Sequence, residues 1–216
     1  MHYDLMRLKS SMDMTTYSLK DLALYFEKFD GYICEITTNR GKLRFKFTTS
    51  SLPHMIGLQY AFENRKDKRS YMGKSGFEKL KNGEITYELV KSNIKRNNKL
   101  KIAWRNIDER IRYLPMFLNS IQNKTKLKTA IQISNESERY TRMKGSYFLY
   151  RQLHDGSTPI LSLKKVSRSG LFIETFVVDD DESIIKNLQE IKIKNVKLID
   201  PLKNTEPIID KEKITE

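Results

Sequence analysis

A basic hairpin near the N-terminus constrains the fold of this chain more than any other feature of its sequence. Between residues 42 and 48, Leu43, Phe45 and Phe47 alternate strictly with basic residues. Such alternation is typical of a strand with one buried face and one wet face, here a basic one. Residues 32–38 form a second strand pattern, and the Asn-Arg-Gly sequence at 39–41 predicts the turn between the two strands.

Helical patterns lie on both sides of this hairpin. Ser18 and Asp21 resemble a capping box, and the helix that they predict ends at Gly31. Residues 52–58 predict a short helix with Pro53 near its first position. Residues 75–92 predict one or two short helices broken near Asn82-Gly83, and an apolar stripe over residues 100–118 predicts a longer helix with a kink at Pro115.

The C-terminal half returns to strand patterns. We expect strands over 129–134, 146–153, 160–166 and 170–178, followed by a helix over 182–190 that begins in an acidic run. The predicted fold class is therefore α+β, with an N-terminal helix and hairpin, a helical middle, and an antiparallel sheet of about four strands packed on helices.

No internal repeat or low-complexity linker divides the chain. We expect a tail over residues 1–17, a single domain over 18–200 and a second tail over 201–216. The longest apolar stretch, 171–178, is too short to span a bilayer, and residues 1–14 lack the apolar run of a secretion signal. The single cysteine, Cys34, cannot form an intrachain disulfide. These features predict a cytoplasmic protein without a membrane partner.

Positive charge is in excess and is clustered. The chain has 40 Lys+Arg against 27 Asp+Glu, a formal net charge of +13. Residues 91–105 contain six basic residues and no acid, and residues 64–81 contain seven basic residues and two acids. Such clusters attract polyanions, although a solvated lysine-rich surface is the alternative explanation. The candidate nucleic-acid contacts are Arg44, Lys46, Arg65, Lys66, Arg69, Lys95, Arg96 and Lys99.

The chemistry-bearing residues are few. Of three histidines, His2 is terminal, His154 lies in a predicted turn, and His54 begins a helix after the basic strand. No histidine pair or Cys–His cluster has metal-ligand spacing, so we expect no metal and no cofactor. Metal-free cleavage of RNA needs only a histidine, one or two cations and a hydroxyl. A nucleic-acid-binding protein without catalytic activity would contain the same types of residue.

The residues around His54 carry a family resemblance. The sequence Leu-Pro-His-Met-Ile-Gly-Leu at 52–58 resembles the F/L-P-H-L-x-G-L signature of the phage-associated branch of the barnase–EndoU–colicin–RelE-like nucleases. A basic hairpin precedes that signature in the family, as it does here. The family signature often continues with His or Lys, whereas Gln59 and Tyr60 follow in this chain.

The resemblance continues over residues 18–190. Residues 111–118 are similar to the helical R-I/L-x-x-L-x-x-L pattern of the family, and residues 147–149 resemble one of its strands. Residues 161–164 and 171–177 resemble its closing hairpin, where the family often has Ser-Phe-Phe. The resemblance implies a helix and a four-stranded sheet, and an RNase toxin or effector of phages and mobile elements.

The resemblance also suggests roles for individual residues. His54 matches the family histidine and would be a general acid or base, although a histidine at a helix start can simply bond a backbone carbonyl. Arg112 would hold a phosphate, Thr175 would orient the scissile phosphate in place of the family serine, and Lys164 would stabilise the phosphorane. Each of these three is otherwise an ordinary residue of a helix surface or a strand. Gly57 would allow close helix packing.

Three functions are therefore in view. The first is a metal-independent ribonuclease that leaves a 2′,3′-cyclic phosphate and has an antitoxin or immunity partner. The second is a non-catalytic RNA- or DNA-binding accessory protein, and the third is a structural protein that contacts an acidic partner. Cleavage of RNA that depends on His54 distinguishes the first function, and salt-sensitive binding of nucleic acid without a product distinguishes the second from the third.

Overall fold

The structure, a computed structural model, describes residues 5, 11–62, 66, 68–96, 104–123, 127–132, 145–165, 170–180 and 184–203. Within these residues the chain forms a mixed α/β fold with six α-helices and one eight-stranded sheet. None of the helices in these ranges is long and apolar enough to cross a bilayer.

The six described helices lie between residues 19 and 122. They are α1 Leu19–Glu27, α2 Leu52–Met55, α3 Leu58–Ala61, α4 Gly73–Lys81, α5 Tyr87–Arg96 and α6 Trp104–Gln122. At the start of α1, the Ser18 hydroxyl accepts from the Asp21 backbone and the Asp21 carboxylate accepts from the Ser18 backbone, so the predicted capping box is present. The longest helix, α6, includes Pro115.

Eight strands make up the sheet. They are β1 Ile33–Thr38, β2 Gly41–Lys46, β3 Lys128–Gln132, β4 Tyr147–Tyr150, β5 Thr158–Lys165, β6 Leu171–Asp179, β7 Leu188–Ile191 and β8 Ile193–Ile199. Their order across the sheet is β7-β3-β4-β5-β6-β2-β1-β8. All neighbours are antiparallel except β2 and β6, which run parallel and meet at the single pair Phe45–Leu171.

The basic hairpin has the predicted register. Thr38 pairs with Gly41 across the turn, and the Thr38 hydroxyl donates to the Gly41 carbonyl over 2.8 Å. Phe45 and Phe47 are fully buried, while Lys46 is exposed. The alternation therefore divides β2 into an apolar face and a basic face, as predicted.

The sheet is twice as wide as predicted, and the helix predicted over 182–190 is wrong where the structure describes that segment. Residues 185–187 form one 3₁₀ turn, and β7 and β8 follow it. Ile191 and Ile193 are separated by one lysine, a period of two that favours a strand over a helix. β7 pairs with β3 and β8 with β1, so both strands depend on partners distant in the sequence.

The main core lies between the helices and one face of the sheet. Helix α6 packs against β5, β6 and β8, and its buried residues Ile107, Ile111 and Leu114 belong to that core. The short helix α2 packs against β6. This arrangement brings residues of α2, α6 and β6 to one place, where the candidate site lies.

Candidate active site

His54 is presented on the surface by a helix whose other side chains are buried. Leu52, Pro53 and Met55 are all buried, whereas His54 is exposed. Pro53 stands in the first turn of α2, where its missing N–H breaks no helical hydrogen bond. The apolar residues thus anchor the helix and leave the imidazole free to meet a ligand.

Gly57 fixes the link between α2 and α3. Its φ of +80° is left-handed, a conformation that glycine adopts without steric cost. A Cβ at this position would lie 2.4 Å from Ile107 Cδ1 on α6. The absence of a side chain therefore lets the link between α2 and α3 lie close to Ile107 of α6, which agrees with the close packing predicted for Gly57.

The surroundings of the His54 imidazole favour its neutral form. Neighbouring atoms partly desolvate the ring and lower its pKa below the ordinary value of 6.5, and the positive charge of Arg110 lowers it further. A hydrogen bond to the backbone of Glu174 and the charge of the Glu174 carboxylate act in the opposite direction. A ring held by one such bond has a fixed orientation.

Arg110 brings a buried positive charge to the same place. Its side chain comes from α6 and is only 8% exposed. Nη1 donates to Thr175 Oγ1 over 3.5 Å, and the guanidinium carbon lies 5.8 Å from the centroid of the Tyr60 ring. Burial lowers the pKa of Arg110, and its hydrogen bond to Tyr60 opposes that effect. Arg110 Nε has no hydrogen-bond partner among the described residues.

A β-bulge positions the residues of β6 that face this arginine and histidine. Ser162 pairs with Thr175 but Leu163 pairs with Ile173, so Glu174 is an extra residue in β6. The Ser162 hydroxyl donates to Glu174 Oε2 over 2.8 Å. Bulges redirect side chains and are common beside active sites. Here the bulge brings the Glu174 backbone to His54 and the Thr175 hydroxyl to Arg110.

The predicted catalytic residues are only partly assembled. His54 forms a hydrogen bond with the Glu174 backbone and is affected by the charge of Arg110. Arg110 in turn donates to Thr175 Oγ1. Lys164 lies on β5 two residues beyond Ser162 and on the same face of that strand. In a strand this spacing puts the Cα atoms of Lys164 and Ser162 about 7 Å apart.

The structure does not bring Arg112 to this group. Its Nε donates to Asp108 Oδ1 over 2.7 Å and its Nη2 to the Tyr87 hydroxyl over 3.0 Å. An α-helix turns by about 100° per residue, so Arg110 and Arg112 point to different sides of α6. Arg110 faces Thr175 on β6, whereas Arg112 faces Tyr87 on α5.

Sequence reasoning missed Arg110, Glu174 and Tyr60. Arg110 stands three residues after Ile107 and four before Leu114, which puts a cation on the apolar stripe of α6. A cation on an apolar stripe is unusual, and this pattern could have identified Arg110 from the sequence. Arg110-Ile111 followed by Leu114 also fits the first part of the helical family pattern, with Arg110 in place of Arg112. Nothing in the sequence marks the bulge at Glu174.

The predicted nucleic-acid contacts differ in their availability. Arg44 forms an ion pair with Glu35, whose side chain is buried. Arg65 and Lys99 lie outside the described residues. The exposed members of the set are Arg44, Lys46, Lys66, Arg69, Lys95 and Arg96.

The other chemistry-bearing residues lie apart from this site. His154 is exposed in the turn between β4 and β5, as predicted. Cys34 is fully buried in the core, and burial raises the pKa of its thiol to about 12. In the described ranges, no group of three or more His, Cys, Asp or Glu side chains is placed to hold a metal ion.

Comparison with known proteins gives one family. Residues 18–214 match the family model described as phage-Barnase-EndoU-ColicinE5/D-RelE like nuclease 4. The searches of curated proteins and of solved structures gave no match. The family match covers His54, Arg110, Glu174 and Thr175, and it agrees with the resemblance inferred from the sequence.

Proposed function

The chain belongs to the phage-Barnase-EndoU-ColicinE5/D-RelE like nuclease 4 family, and from this premise we propose that it is a metal-independent endoribonuclease. The proposed reaction is attack of an RNA 2′-hydroxyl on the neighbouring phosphate, which leaves a 2′,3′-cyclic phosphate and a 5′-hydroxyl. The observation that carries the proposal is an exposed imidazole beside a buried guanidinium at the bulge of β6.

His54 is the general base of this reaction. Its lowered pKa keeps the imidazole neutral at neutral pH, so that a ring nitrogen can accept the 2′-hydroxyl proton. The 2′ oxygen then forms its bond to phosphorus as the bond to the 5′ oxygen breaks. The leaving oxygen takes a proton from solvent, and the imidazolium returns its proton to solvent.

Arg110 and Thr175 act on the phosphate. A guanidinium in a partly dry site stabilises the negative charge that develops on the phosphoryl oxygens more strongly than it would in water. The Thr175 hydroxyl accepts from Arg110 and orients the phosphate. Lys164 adds positive charge along β5, and Arg112 supports α6 through Asp108 rather than holding the phosphate itself.

Exposed cations guide the RNA to the site. Lys42, Arg44 and Lys165 line a cleft of about 370 Å³ between β2 and β6, and Lys46 continues the basic face of β2. Phosphate contacts of this kind provide affinity without reading the sequence. The phage-associated family supports a role as a toxin or effector that acts on RNA in the cytoplasm and is held in check by an antitoxin or immunity partner.

The test compares wild type, His54→Ala and His154→Ala on total RNA in EDTA. His154 is the matched control because it is exposed in a turn away from the site. We expect wild type and His154→Ala to leave cyclic phosphate ends and His54→Ala to lose about 10²- to 10⁴-fold in rate, with RNA affinity unchanged. Cleavage by His54→Ala at the wild-type rate would refute the role of His54. Intact RNA in all three samples, together with a salt-sensitive gel shift, would instead identify a binding protein.

A further inference from the structure

A cavity of about 530 Å³ opens beside the candidate active site. Its wall includes Tyr60, whose ring also lies 5.8 Å from the Arg110 guanidinium. The cavity therefore begins one side chain away from the proposed chemistry. Its volume lies within the usual range of pockets for small molecules.

Aromatic and cationic groups form this wall. Phe62 lines the cavity and stacks on Tyr71, with ring centroids 3.9 Å apart and planes inclined by 10°. Lys68 and Arg69 also line the cavity and are exposed. Aromatic side chains stack nucleobases, and cations hold the phosphates attached to them.

Gln59 adds a group that can read an edge of a base. Its side chain lines the cavity and is half-buried. Its Oε1 is buried, and no donor for it exists among the described residues. A buried carbonyl oxygen without a donor costs free energy. If the Gln59 amide turns toward the cavity, an N–H of a bound ligand can recover that cost. Glutamine amides pair with bases through one acceptor and one donor.

We infer that this cavity binds the nucleobase that flanks the cleaved phosphate, with Gln59 as the residue that determines base preference. The inference rests on the proposed nuclease function. The base stacks on the aromatic wall, and the Gln59 amide accepts an N–H from its edge. Lys68 and Arg69 contact the adjoining phosphate. Tyr60, between the cavity and Arg110, sets the distance between the bound base and the scissile bond.

The test measures binding of the four nucleoside 3′-monophosphates by calorimetry, and cleavage of RNA with a randomised sequence. The proteins are wild type, Gln59→Leu and Met72→Trp, which fills the cavity. Gln189→Leu is the matched control because Gln189 is exposed on β7. We expect at least one nucleotide to bind wild type. Both cavity variants should weaken that binding about tenfold, and Gln189→Leu should change it less than twofold.

Nucleotide binding that survives His54→Gln but is lost in Gln59→Leu supports the cavity whether or not RNA is cleaved. This result therefore separates the cavity from the proposed nuclease function. In an active enzyme, Gln59→Leu should also broaden the base preference at one position beside the cut. Absence of nucleotide binding, or equal binding by wild type and both cavity variants, would overturn the inference. RNA cleavage with unchanged base preference in Gln59→Leu would do the same and leave the nuclease proposal intact.

Discussion

Arg110 Nη1 lies 3.5 Å from Thr175 Oγ1, and the same guanidinium lowers the pKa of His54. One buried cation on α6 thus connects a helix residue and a strand residue that the chain separates widely. This relationship gives Arg110 two separable effects, one on the phosphate and one on the protonation of the base.

Replacing Arg110 should change both the rate of cleavage and its pH dependence. The pKa of His54 is lowered from 6.5, so the acidic limb of the kcat/KM profile of wild type should fall below pH 6.5, because the base must be neutral. Arg110→Gln removes the positive charge, and the limb should then shift to higher pH. The rate should also fall about a hundredfold. Rates of RNA cleavage between pH 4 and 8 measure both effects.

Arg112→Gln is the matched control on the same helix, since Arg112 pairs with Asp108 and Tyr87. It should leave the position of the acidic limb unchanged. A limb that moves equally in both variants would show that the helix as a whole, rather than the Arg110 charge, affects His54. Thermal unfolding of both variants verifies that they are folded under the assay conditions.

Gly57→Ala should destabilise the protein more than Gly83→Ala. The two glycines have nearly equal φ values of +80° and +79°, so both substitutions carry the same backbone strain. Only at Gly57 does the new Cβ collide, at 2.4 Å from Ile107 Cδ1. We expect a loss of about 1–2 kcal/mol for Gly83→Ala, and a further loss of about 1 kcal/mol for Gly57→Ala because overpacking against the end of the Ile107 side chain is added. Urea unfolding measures both.

Ile107→Val removes the Cδ1 atom with which that Cβ collides. In this background Gly57→Ala should cost less than it does in wild type, which a double-mutant cycle measures directly. Equal costs in the two backgrounds would contradict the close contact between Gly57 and Ile107.

Arg44→Gln should destabilise the fold in a pH-dependent way. The hydrogen bond from Arg44 is the main cause that lowers the pKa of Glu35 below its ordinary value of 4.5. A lowered folded-state pKa contributes stability above pH 4.5, and that stability is lost as the pH falls through the folded-state value. Because Arg44 is exposed to solvent and Lys42 still pairs with Glu35 in the variant, we expect a cost of only about 1 kcal/mol at pH 7. This cost should shrink below pH 4.

Lys46→Gln provides the comparison for Arg44→Gln, because Lys46 is exposed on the same face of β2. Lys46→Gln should leave the midpoint of urea unfolding unchanged at pH 7 and at pH 3, and it should weaken RNA binding. A loss of stability that is equal at pH 7 and pH 3 would argue against the ion pair as the cause.

Cys34 should be chemically inert in the folded protein. Burial raises the pKa of the thiol to about 12, so roughly one molecule in 10⁴ carries the thiolate at pH 8. Iodoacetamide should therefore label Cys34 at pH 8 only after denaturation, which mass spectrometry detects. Rapid labelling of the native protein would show that the core around Cys34 opens frequently.

The parts of the fold that were predicted correctly depend on neighbours in the sequence. The capping box at Ser18, the hairpin turn, and the helix that is predicted over 100–118 and found at Trp104–Gln122 are each encoded by residues close together in the sequence. β7 and β8 were missed because their stability comes from pairing with β3 and β1. The acidic run before them is typical of a helix start, so the local sequence predicts a helix in this segment.

The residues of the candidate site also differ in whether a local sequence pattern identifies them. His54 was identified through its local signature. Arg110 could have been identified from the helical period, since it lies on the stripe of Ile107 and Leu114. The role of Glu174 depends on the register between β5 and β6. That register is a tertiary property, so no pattern within either strand reveals it.

Among the described residues, the pair between Phe45 and Leu171 joins β2 to β6 and divides the sheet into two parts. One part holds β2, β1 and β8, and the other holds the five remaining strands, including the bulge at Glu174. Within the described ranges, tension applied across the sheet would be carried between β2 and β6 by one residue pair, whereas four or more residue pairs join every other two neighbouring strands. The contact between β2 and β6 is therefore where the sheet would separate first under load, and the cleft formed by Lys42, Arg44 and Lys165 lies along it.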